Sequence, residues 1–196
     1  MKTIVLSAGH HAARQGASNK NYNLTEYVCA SEVVLLASKK LIDDNVCEVH
    51  IVDGTLSHKV KYINEYKFDL ALDYHFNADA DHLDPDDNDD SRGRGCMVMY
   101  VPNNSTRKHQ AASFSSSMVN SLSTIDKGAR EGWYWGGDNP GTIKDYFLRK
   151  TKCPAFIPEA GYIDNNGFAK EFLLTDDGYE RLADALVDAI KEFLSC

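Results

Sequence analysis

The sequence predicts a single α/β domain in which a largely parallel sheet is covered by helices on both faces. Three observations predict it. Short β-rich apolar runs alternate with longer segments of helical periodicity. Those runs read as buried, as strands of a sheet covered on both sides do. The 196 residues suffice for one well-packed core and are short for two.

The elements follow in order. "TIVLSA" (Thr3–Ala8) is an apolar run ending at Gly9, and it reads as the first strand. A polar loop, "HHAARQGASNKNYN", follows it. From Thr25 the pattern turns helical, with Ala30, Val33, Val34, Ala37 and Leu41 on one face and Thr25 placed to cap the start. Cys47–Asp53 reads as the second strand, Ser57–Tyr66 as a helix, and Phe68–Phe76 as the third strand. Cys96–Val101 is a fourth strand, followed by a Ser-rich helix over about Thr106–Leu122. Tyr146–Thr151 and Pro154–Glu159 read as two further strands. The last helix spans about Asp176–Phe193, with Leu182, Leu186, Ala189 and Phe193 as its apolar stripe. Neither an internal repeat nor an interdomain linker interrupts residues 1–196, so one domain is expected.

Composition excludes several functions. A net charge of −8 with scattered Lys and Arg argues against nucleic acid and anionic membrane as partners. The five cysteines are odd in number, far apart and free of CxxC spacing, which argues against a disulfide framework or a zinc knuckle. The apolar run in "MKTIVLSAGHH" is too short for a signal peptide, so synthesis in the cytoplasm without a secretion address is expected.

Ligands of open α/β sheets bind outside the carboxyl ends of the strands. The first strand ends in Gly9-His10-His11, the third in His75 with Asn77 beyond it, and the last candidate strand in Glu159. Glu26 lies in the first turn of the first helix, four residues before Ala30, so it shares the buried face. His10, Glu26 and His75 thus fall around one rim. Two imidazoles and a carboxylate with an open fourth position form a catalytic zinc arrangement. Glu159 reaches the same rim and is placed to act as general base.

Weaker features remain. Trp133, Tyr134 and Trp135 sit between glycines, and they read either as a wall for glycan rings or as partly buried core aromatics. The acidic stretch Asp79–Asp90 reads as a solvated surface loop beside His75. His50, His58, His82 and His109 fit no pattern and read as structural or surface residues.

Taken together, "SAGH", "LTEYV", "DYHFNA" and "CPAFIPEAGYIDN", in this order and spacing, resemble the zinc-dependent N-acetylmuramoyl-L-alanine amidases of the type 3 family, found in bacterial wall hydrolases and phage endolysins. The resemblance covers about residues 2–195. It implies a twisted, mostly parallel sheet of about six strands in a three-layer domain. It also implies one zinc ion on His10, Glu26 and His75, with Glu159 as the catalytic carboxylate. The substrate would be the amide joining N-acetylmuramic acid to L-alanine in peptidoglycan, with Asn77, Trp133 and Trp135 as substrate-contact candidates. An endolysin-like, monomeric enzyme acting on the bacterial cell wall is the expected setting. The family pattern has Asp-Pro before the first Gly-His, where this chain has Ser7-Ala8, and His11 stands beside His10 as a competing ligand. Pro158 before Glu159 is also unusual and predicts a shifted local path.

Two rival readings fit parts of the pattern. A zinc peptidase or carboxypeptidase acting on the peptide stem would need an arginine for the terminal carboxylate, and Arg14, Arg92 and Arg94 are available. A non-catalytic wall-binding module with a degraded site ranks last, because all four catalytic-type residues are present.

Overall fold

The computed structural model describes residues 1–78, 94–134 and 143–195. The acidic stretch Asp79–Asp90 and Trp135 lie outside the described residues.

β1 (Thr3–Ala8) lies parallel to β5 (Leu70–Asn77), with Ile4 opposite Leu70 and Ala8 opposite Tyr74. β4 (Glu48–Ile51) pairs on the other edge of β1. β10 (Ala155–Tyr162) pairs parallel to β5, and β6 (Cys96–Tyr100) pairs antiparallel to β10. β7 (Asp126–Glu131) closes the sheet beside β6, giving the order β4-β1-β5-β10-β6-β7. The short pairs β2 (Ser18–Asn19) with β3 (Leu24–Thr25), and β8 (Trp133–Tyr134) with β9 (Ile143–Lys144), stand apart from it.

Helices cover both faces, as expected. On one face α1 (Glu26–Asp43), α3 (Ser105–Leu122) and α6 (Asp176–Ser195) share a core with Ile4, Leu6, Leu70, Leu72, Tyr74 and Phe156. On the other, α2 (Leu56–Glu65) and α4 (Tyr146–Lys150) pack Val60, Ile63, Phe147 and Leu148 against Val5, Ala71, Ala155 and Ile157. Successive residues of each strand therefore feed opposite cores, which is the period-2 rule of a pleated sheet. After β10, a short helix α5 (Asn166–Phe168) runs into a π-helical turn, Ala169–Leu173.

Three sequence expectations are corrected. Tyr146–Thr151 is not a strand. Its Tyr146–Lys150 part is α4, because Asp145 accepts the Leu148 N–H (3.1 Å) and caps a helical turn that buries Phe147 and Leu148. The sixth strand is instead Asp126–Glu131, a polar edge strand without the apolar alternation that marks a buried one. Thr25 occupies the N-cap position of α1 but makes no side-chain cap, since its hydroxyl donates to Gln15 Oε1 (2.7 Å). Pro158 sits inside β10 opposite Val98, and the register with β5 shifts further along, between Glu159 and Tyr162.

Candidate metal centre

The centre forms where three elements end. β1 stops at Gly9, whose N–H donates to Tyr74 O (2.7 Å). His10 then takes a left-handed backbone (φ 65°), an uncommon geometry for a residue with a side chain. Gly9 must be glycine, because a Cβ there would lie 2.4 Å from the His75 ring. Gly16 is under the same constraint: with φ +77°, its Cβ would lie 2.4 Å from both Glu26 Oε2 and His10 Cδ2. These two close approaches let the side chains converge.

Glu26 opens α1 and is only 4% exposed. Its Oε1 lies 2.7 Å from His75 Nδ1, and its Oε2 lies 2.9 Å from His10 Nε2. The Ala17 and Phe76 N–H groups donate to the same carboxylate (3.0 and 3.3 Å). The two imidazole rings meet edge to face, with centroids 5.1 Å apart. One donor atom from each of His10, Glu26 and His75 lies within 4.8 Å of the others. Burial alone would raise the Glu26 pKa, but hydrogen bonds from both histidines hold it well below the usual carboxylate range. Burial likewise opposes charge on His75, yet its contacts to Asp73 and Glu26 raise its pKa well above the ordinary value. A buried carboxylate facing two imidazole nitrogens, with no Lys or Arg as its partner among the described residues, fits a divalent cation of the zinc class.

Glu159 stands opposite His75 in the pairing of β10 with β5. It is 8% exposed, and its Oε2 is buried without a hydrogen-bond partner. Burial, reinforced by the nearby Glu26 and Asp73 charges, pushes its pKa up to about 8. An orphaned acceptor of this kind marks a position made for a ligand or a transferred proton.

A cleft of about 650 Å³ opens beside the centre, lined in part by His10, His11, Arg14, Ser57, His75 and Asp145. Burial raises the Asp145 pKa. His11 lies on the cleft wall, tied to Arg14 by backbone hydrogen bonds (3.1 and 2.8 Å), and is not in the His10–Glu26–His75 group. Asn77 and Trp133 do not line this cleft. Asn77 Oδ1 accepts the Ala78 N–H (2.8 Å), and the Trp133 indole N–H donates to Glu131 (3.1 Å).

Sequence reasoning passed over Lys59, Asp73 and Ser7. Lys59 is 1% exposed, and Asp73, at 2%, lies on the same strand face as His75. The signals were present: Asp73 is a lone carboxylate in a buried run, two residues from His75, and Lys59 lies on the apolar face of α2 with Val60 and Ile63.

The N-acetylmuramoyl-L-alanine amidase family signature matches residues 4–192. The chain belongs to that family. Amidases of known structure share its fold. One from Clostridium difficile 630 superposes with a TM-score of 0.81 at 18% identity, covering 99% of this chain and 97% of the other. The catalytic domain of CwlV from Bacillus (Paenibacillus) polymyxa var. colistinus gives 0.81 at 22% identity, covering 100% and 99%. The catalytic domain of the CD27L endolysin, which targets Clostridia difficile, gives 0.73 at 16% identity, covering 98% of each chain. No curated protein sequence matches this chain. As an amidase of this family the protein hydrolyses peptidoglycan. No helix among the described residues is long and apolar enough to cross a membrane.

Proposed function

We propose that the amidase works with one zinc ion held by His10, Glu26 and His75, and with Glu159 as its general base and acid. The observation that carries this is the convergence of three ligand-type atoms within 4.8 Å beside a buried carboxylate oxygen that has no partner. The bound ion supplies Lewis-acid polarisation to the scissile carbonyl and to the attacking water. Glu159 takes the proton of that water and returns it to the departing amine of L-alanine. Its burial suits it to exchange protons near neutral pH, and positive charge in the site favours its ionised form. The cleft lined by His10 and His75 is where this reading seats the wall polymer.

The same reading makes residues 1–196 one catalytic domain that acts on the bacterial cell wall in endolysin-like lysis, as a monomer. The likeness to the CD27L catalytic domain supports the lytic setting.

Purified peptidoglycan incubated with the protein, with and without a zinc chelator, tests the proposal by mass spectrometry of the fragments. New L-alanine amino termini beside intact lactyl-muramic glycan, lost on chelation and restored by zinc, are expected. Cleavage inside the peptide stem would move the reaction to a peptidase, and loss of turbidity in a suspension of cell walls reads the lytic role directly.

A further inference from the structure

Lys59 has an unusual environment for a lysine. It projects from α2, which otherwise buries Val60 and Ile63, and at 1% exposure it is among the most buried side chains of the chain. A lysine is almost never this buried unless it is paired. Its ammonium has three donors and meets three acceptors: Ala8 O, His10 O (2.9 Å) and Asp73 Oδ1 (3.0 Å). The two carbonyls flank Gly9, the residue whose missing Cβ admits the His75 ring. Asp73 also accepts the Ser7 hydroxyl at Oδ1 (2.5 Å), which leaves Oδ2 facing His75 Nε2 (3.2 Å).

We infer that Lys59 and Asp73 are a positioning pair for the metal centre: Lys59 fixes the backbone that carries His10 and the carboxylate of Asp73, and Asp73 holds the Nε2–H of His75 so that Nδ1 faces Glu26 and His10. A ligand histidine needs its second nitrogen fixed, because that hydrogen bond sets both tautomer and ring orientation. Replacing a buried ion pair with well-packed apolar groups is often neutral or stabilising, so stability alone does not account for keeping this one. One lysine ties both histidines to one frame, so neither can shift without the other. The inference rests on the zinc reading of the site.

Two measurements test it. The first is a long-range ¹H–¹⁵N correlation spectrum of the unmutated, zinc-loaded protein. The His75 proton is expected on Nε2, with the metal-type shift on Nδ1; a proton on Nδ1 overturns the inference. The second is zinc affinity by competition with a chromophoric chelator, for Asp73→Asn and for the apolar double variant Lys59→Met/Asp73→Leu. Each is expected to bind zinc about 10–100-fold more weakly than the parent, the usual effect of removing such a partner. Lys40→Met, which removes a surface ion pair with Glu180 and Asp184, serves as the control and leaves affinity unchanged. A folded double variant with parental zinc affinity overturns the inference. A parent chain that takes up no zinc overturns the metal reading itself, whereas zinc uptake with the wrong His75 tautomer overturns only the positioning role.

Discussion

The two faces of the central sheet are built from the same strands and differ in kind. On the α1 side, Ile4, Leu6, Leu70, Leu72, Tyr74, Phe76 and Phe156 form an apolar run broken only by the buried, unpartnered hydroxyl of Tyr74. On the α2 side, Val5, Ala71, Ala155 and Ile157 are apolar only over the first half of each strand. Beyond them the same face carries Ser7, Asp73, His75 and Glu159, all buried or nearly so. One face provides cohesion; the other gives up cohesion in its second half to hold charge out of water. Buried polar groups are tolerated only when paired, so this half-face is a connected network in which Glu159 Oε2 is left over.

The sharpest way to break the comparison is to cut each face on the same strand. Glu159→Ala is expected to lower turnover by roughly 10²–10⁴-fold, the usual contribution of a general acid–base group, while zinc content is kept. Phe156→Ala, three residues earlier and facing the other core, is expected to cost about 3–5 kcal/mol of stability and to spare turnover per folded molecule. Turnover, zinc content and denaturant melts of both variants check the pair. Full activity in Glu159→Ala would remove it from the mechanism.

Next in size is the stability that the charged half-face gives up. Glu159 titrates near 8 when folded, against an ordinary value of 4.5. Between these limits the folded chain keeps a proton that the unfolded chain has released, so each pH unit upward lowers stability by about 1.4 kcal/mol. Below 4.5 both states are protonated and the penalty vanishes. Metal-free Glu159→Gln is therefore expected to melt well above the metal-free parent at pH 8 and close to it at pH 4.5. Thermal melts in chelator across that range measure the difference, and a gap independent of pH would contradict it.

How much of this was legible follows the same division. The rim was legible because His10 follows the end of β1 and His75 and Glu159 lie in the carboxyl-terminal halves of β5 and β10, and because the helical angle of Glu26 places it with Ala30 and Val33. The buried Lys59–Asp73 pair was not. A hydropathy reading counts each charge as exposed, and the two cancel only once the fold brings together positions 14 residues apart, 3.0 Å between charged atoms. The misplaced strand has a local cause: "YFLRK" is apolar enough to extend, but the Asp145 cap and the burial of Phe147 and Leu148 favour a helical turn. The strand it displaced, "DKGARE", is an edge strand whose polar residues are free to face water.

A smaller effect is expected from Gly16→Ala. The new Cβ would meet Glu26 Oε2 and His10 at 2.4 Å, at a φ of +77° that L side chains rarely adopt. The ligands must shift, so zinc affinity is expected to fall on the order of tenfold, with a stability loss of about 1–3 kcal/mol from backbone strain. Chelator competition separates the two, since strain alone would lower the melting temperature and leave affinity intact.

The smallest expected effect lies at the seam where the α2-side face changes from apolar to charged. Ser7 follows Leu6 in β1, pairs with Asp73 across the sheet, and its hydroxyl is shared between Asp73 Oδ1 (2.5 Å) and Leu72 O (3.2 Å). Ser7→Ala deletes one hydrogen bond to a buried carboxylate that keeps Lys59, so the loss should be about 1–2 kcal/mol, near the lower end for charged partners. If the network works as a frame for His75, loosening Asp73 in this way lowers zinc affinity by less than Asp73→Asn does, but in the same direction. If Ser7 only fills space, stability falls alone. Melting temperature and zinc competition on the single variant tell whether the charged half-face is one connected device or a set of independent pairs.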